Sequence, residues 1–120
     1  MIKGFVYKPR KVVWLTPEQE SGIKSFLQGK VYGWCQQEGD KWFVLASLVG
    51  ETDDNWTNTA LIDLYNHHLK VTGDVERAIN EAAKDAGALL MNLLYEDNRE
   101  FEYRETINGR GKKAEYKWLK

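Results

Sequence analysis

FEYRETINGRGKKAEYKW, residues 101–118, alternates apolar and polar side chains on either side of a glycine-bearing centre. Phe101, Tyr103 and Ile107 are interleaved with Glu102, Arg104 and Thr106; beyond Asn108-Gly109-Arg110-Gly111, Ala114, Tyr116 and Trp118 are interleaved with Lys113, Glu115 and Lys117. A period of two on both sides of a turn predicts an antiparallel β-hairpin with one apolar face. Charge selects its register. A four-residue loop, Asn108 to Gly111, pairs Ile107 with Lys112, sets Phe101 opposite Trp118 and Tyr103 opposite Tyr116, and matches Glu102 with Lys117 and Arg104 with Glu115. A two-residue Asn108-Gly109 loop would instead oppose Glu102 to Glu115 and Arg104 to Lys113, like-charge contacts that cross-strand pairing disfavours. The longer loop is therefore expected, with Arg110 at its tip and Lys112 and Lys113 beside it.

Helical spacing dominates the residues that precede this hairpin. Asp74 is placed as an N-cap, and Val75, Ala78, Ile79, Ala82, Ala86, Leu89, Leu90 and Leu93 form a 3.6-residue stripe. The stripe is narrow-bodied at Ala82, Ala83, Ala86, Gly87 and Ala88, where another element can approach closely. Ala83 and Gly87 also have the spacing of a helix-turn-helix corner, which would divide the segment into Val75 to Asp85 and Ala88 to Tyr95. The unbroken stripe favours one continuous helix, serving packing or contact in a homodimer. Thr57 or Thr59 can cap an earlier helix through Leu61, Leu64, Tyr65 and Leu69, closed by Thr72-Gly73. Trp42-Phe43-Val44-Leu45 suits a short strand that enters a short helix at Leu48 and Val49. Thr16-Pro17-Glu18-Gln19 combines a threonine cap, proline at the first helical position and a glutamine that closes a capping box. The helix it starts runs through Ile23, Phe26, Leu27, Val31 and Trp34 to Gly39-Asp40. Gly22, Gly29 and Gly33 each cost this helix about 1 kcal/mol relative to alanine, which leaves a bend or break near Gly29 open. At the N-terminus, Ile2 to Tyr7 and Lys11 to Leu15 read as β-prone pieces separated by Lys8-Pro9-Arg10.

These elements predict one α+β domain of three to four helices with a C-terminal antiparallel hairpin: a basic arm over residues 1–15, a helical body over 16–95 and the hairpin over 99–120. A length of 120 residues suits one domain, and 42% hydrophobic residues suffice for a core. Cys35 is the only cysteine, so no disulfide can form within the chain, and a reducing, cytoplasmic location is the expectation. Residues 1–10 lack the apolar core of a signal peptide, and no apolar run reaches about 18 residues, so no membrane association is expected. The net charge of −1 averages unlike parts. Residues 1–11 carry four basic side chains and no acid, residues 12–100 carry seven basic against fifteen acidic, and residues 101–120 carry six basic against three acidic. Two positive ends flank an acidic body, an asymmetry that bears on partners.

Motifs for catalysis or metal binding are sparse. His67 and His68 are adjacent on a helix and diverge; Asp63 and His67 are four apart, but two ligands do not make a site. Asp53-Asp54-Asn55 lacks the glycine and distal glutamate of a calcium loop. Cys35 lies near an apolar stripe with no local histidine to activate it. Gly109-Arg110-Gly111 sits between strands, whereas a phosphate-binding loop precedes a helix. No enzyme activity, metal or cofactor is expected.

The order of a first helix at Thr16 to Gln37, a short strand at Trp42-Phe43, further helices and a Phe101 to Trp118 hairpin resembles the winged helix-turn-helix architecture. The resemblance implies a helix in the major groove of double-stranded DNA, with wing residues Arg110, Lys112 and Lys113 on phosphates. Lys8, Arg10 and Lys11 of the arm would add phosphate contacts, and Asn58 would contribute from the helix at Thr57 to Lys70. The function expected is that of a small non-enzymatic DNA-binding regulator of bacterial or phage type. The alternative is a protein-interaction adaptor or inhibitor that uses the acidic helical surface, since one fold serves many functions.

Overall fold

In the computed structural model, which describes residues 1–3, 10–50, 56–108 and 111–120, helix α1 (Pro17–Glu38) starts at the predicted cap. The Gln19 backbone N–H donates to Thr16 Oγ1 and the Thr16 N–H to Gln19 Oε1, both at 3.1 Å. The helix runs unbroken through Gly29, burying Ile23, Leu27, Val31 and Cys35, and ends at Gly39, whose φ of 66° suits glycine. Phe43 follows as a single antiparallel bridge to Tyr116, with N–H···O bonds of 2.8 and 2.9 Å, and leads into the short helix α2 (Leu45–Val49). Ser47 Oγ accepts from the Val44 N–H at 3.1 Å, which turns the chain from strand to helix.

Thr59 organises the approach to helix α3 (Ile62–Thr72): its hydroxyl donates to the Trp56 carbonyl at 2.7 Å and accepts from the Leu61 N–H at 3.2 Å. Gly73, at φ 67°, closes that helix by donating to the Leu69 carbonyl, and Asp74 caps helix α4 (Val75–Glu96) by accepting from the Arg77 N–H at 3.1 Å. α4 is one continuous helix of 22 residues, without the corner that Ala83 and Gly87 could have formed. It packs against α3 and supplies much of the core, with Ala82, Ala86, Leu89 and Leu94 fully buried.

Strands β1 (Glu100–Asn108) and β2 (Gly111–Leu119) adopt the register that charge selects: Phe101 faces Trp118, Tyr103 faces Tyr116, Glu102 faces Lys117 and Arg104 faces Glu115. Pairing continues to Asn108 and Gly111, one pair further than the predicted four-residue loop. Only the base of the apolar face covers the core. Phe101 and Tyr116 are buried there, whereas Ile107, near the turn, is 79% exposed. On the opposite face Arg104 pairs with Glu115 and its guanidinium lies 3.9 Å from the Trp42 ring centre.

The strand expected at Lys11 to Leu15 is a turn, closed by the Leu15 N–H donating to the Val12 carbonyl at 3.2 Å. Val12 and Leu15 are buried while Val13 is 87% exposed, a spacing of three that an extended strand cannot place on one face. Of the expected strand at Ile2 to Tyr7, Ile2 makes a single parallel bridge to Phe101 and residues 4–9 lie outside the described residues. The described architecture is a small α+β domain with four helices and a two-stranded C-terminal hairpin. Among the described residues, no helix is long and apolar enough to cross a membrane.

Candidate functional site

The basic residues singled out at opposite ends of the chain meet. Arg10 from the arm and Lys112 and Lys113 from β2 border one cleft of about 480 Å³, together with Lys84 of α4. Its walls are the start of α2, the small-residue face of α4 at Ala83, Gly87 and Ala88, and the Ala114 and Tyr116 side of β2; Trp56, Leu90 and Met91 line it further. Ala82 and Ala86 pack into the core as their spacing suggests, but at Gly87 an added Cβ would meet nothing within 4 Å. The close approach expected along the whole small-residue stripe is therefore confined to its core side.

Arg10 is held by a buried carboxylate. Its Nη2 donates to Asp85 Oδ1 at 2.8 Å, His68 Nε2 lies 2.6 Å from Asp85 Oδ2, and Asn92 Nδ2 donates to the Arg10 carbonyl at 2.9 Å. The Asp85 side chain is only 6% exposed, so these partners offset the cost of burying its charge. Trp14 stacks on His67 with ring centres 3.7 Å apart and planes within 3°. Burial, then the neighbouring His68, lowers the pKa of His67 below its usual 6.5. The arm from Arg10 to Leu15 is thus fastened across α3 and α4, and both histidines serve that attachment.

The remaining cations are more open. Lys84 lies 3.4 Å from Glu81 and Lys112 lies 3.8 Å from Glu105; all four side chains are exposed, and such pairs contribute little in water. Lys113 is exposed and has no ion-pair partner among the described residues. Lys11 is exposed away from this set, and Asn58 is exposed in the turn before α3 at φ 67°. Lys8 and Arg110 lie outside the described residues. Lys84 and Trp56 were not evident from the sequence. Lys84 reads as one more charge on a helix surface, and Trp56 follows a polar stretch with no periodic partner. The Ala83/Gly87 spacing was the available signal for an open helix face.

Cys35 is buried, and burial pushes its thiol above the usual range, away from the reactive thiolate. Comparison of the chain with protein-family models, curated proteins and solved structures finds no match.

Proposed function

We propose that the protein is a small non-enzymatic DNA-binding regulator that holds duplex phosphates on the face where the hairpin meets the arm. The observation that carries this reading is the convergence of Arg10, Lys84, Lys112 and Lys113 around one cleft, from segments about 30 to 100 residues apart in a chain of net charge −1. The antiparallel bridge from Phe43 to Tyr116 supports the likeness to a winged helix, because it joins the strand after the first helix to the second strand of the hairpin. Arg110, outside the described residues, enters the reading from the sequence alone.

Base readout is expected to be limited. On α3, Asn66 and Lys70 are exposed, but His67 is stacked on Trp14 and His68 is engaged with Asp85. Phosphate contacts therefore dominate, and they carry no sequence information.

A titration against mixed-sequence duplex DNA over a salt series tests the reading, with a variant combining Arg110→Ala, Lys112→Ala and Lys113→Ala beside the wild type. The expected affinity falls as salt rises, and the variant flattens the logarithmic salt slope by about one unit for each phosphate it no longer neutralises. Binding that is absent even in low salt would transfer the function to the adaptor or inhibitor reading and its acidic helical surface. A variant that binds as wild type does would remove the hairpin from the DNA interface.

A further inference from the structure

The cleft beside this basic face has a composition that phosphate binding alone does not require. Its interior is apolar at Val44, Ala83, Gly87, Leu90 and Met91, and its volume of about 480 Å³ falls within the range of small-molecule sites. Trp56 lines it while being only 1% exposed, and its indole N–H is buried with no hydrogen-bond acceptor among the described residues. Four cationic side chains rim the same space, of which, among the described residues, only Arg10 is committed to a buried carboxylate.

We propose that this cleft binds a small organic anion: an apolar body lies against Gly87, Leu90 and Met91 beside Trp56, and a carboxylate or phosphate sits among Lys84, Lys112 and Lys113. Charge complementarity selects an anion over a neutral ligand, and the apolar interior selects an organic anion over an inorganic one. The proposal does not rest on the DNA reading, because the cleft and its apolar lining stand without it.

Anilinonaphthalene sulfonate, an aromatic body with one anionic group, is the probe. Its binding is followed by fluorescence and by the NMR resonance of the Trp56 indole N–H in the full chain. The expected result is saturable binding that moves that resonance and weakens with salt. Gly87→Leu fills the cleft at a position where an added Cβ meets nothing within 4 Å, and it weakens probe binding by about tenfold or more while duplex affinity stays at the wild-type level. Lys84→Ala provides a second variant that removes a rim charge and leaves the apolar interior in place, and it weakens binding mainly at low salt. Octanoate and adenosine monophosphate are then used as competitors: displacement by the first identifies a carboxylate ligand, and displacement by the second a nucleotide-type phosphate. An unmoved Trp56 resonance, wild-type probe affinity in Gly87→Leu, or failure of both competitors would overturn the proposal. Weakened probe binding in Gly87→Leu beside wild-type duplex affinity separates the two assignments, whereas the hairpin variant, which removes Lys112 and Lys113, is expected to weaken both.

Discussion

Asp97 shows how one side chain ties separate elements together. Its carboxylate accepts from the Arg99 backbone N–H at 2.8 Å, from the Arg99 guanidinium at 2.8 and 3.0 Å, and from Gln28 Nε2 of α1 at 2.9 Å. Burial alone would oppose its ionisation, but these hydrogen bonds and the Arg99 charge prevail and lower its pKa from 3.8 to about 2. The folded value is depressed, so the associated stability is complete above about pH 4 and is lost as pH falls through about 2, an amount of about 2 kcal/mol. Denaturant titrations across that window should show the loss in wild type and a flatter acid dependence in Asp97→Asn, which starts less stable at neutral pH. His67 makes a second prediction. Its folded pKa is also lowered, and for a base this means that protonation opposes the fold, so its contribution is present above 6.5 and declines as pH falls below it. The imidazole should titrate below 6.5 by NMR, and Trp14→Ala, which uncovers the ring, should return the value toward 6.5.

Elements differ in how far their own residues determine them. α1 rests on its cap and its apolar stripe, and Gly29 within it is exposed with open space around an added Cβ. Gly29→Ala should therefore stabilise the protein by about 0.5–1 kcal/mol through backbone entropy, whereas Gly39→Ala should destabilise it. Gly39 sits at φ 66° and a Cβ there would lie 3.0 Å from Lys120 Nζ. Thermal or chemical denaturation of both variants checks the contrast. The hairpin was legible in sequence because its register depends on nearest cross-strand neighbours, such as Arg104 with Glu115 and Glu102 with Lys117. The segment Lys11 to Leu15 was not, because β-branched residues there suggest a strand while their actual partners are distant. Trp14 meets His67, and Arg10 meets Asp85, pairings that no local pattern reveals.

Across the whole molecule, Phe43 joins parts that are far apart in the chain. Its ring packs near Trp34 of α1, Phe101 of β1 and Tyr116 of β2, and it is 1% exposed. Phe43→Ala should cost about 3–5 kcal/mol, measured as a fall in the free energy of unfolding, and should loosen the hairpin from the helices at the same time. The candidate site has the same dispersed origin. Arg10, Lys112 and Lys113 were identifiable from the distribution of charge, but their meeting with Lys84 around an open face of α4 depends on the complete fold. The attachments of the N-terminal segment also bear on how the protein is made. Ile2 pairs with Phe101, the Met1 amino group donates to the carbonyls of Leu94, Asp97 and Arg99, and Arg10 reaches Asp85. At a synthesis rate of about 5–20 residues per second, the ribosome releases this segment several seconds before its partners emerge. The contacts of Ile2 and Arg10 can therefore close only once Phe101 and Asp85 have been made, which places them late in the folding of a chain under synthesis.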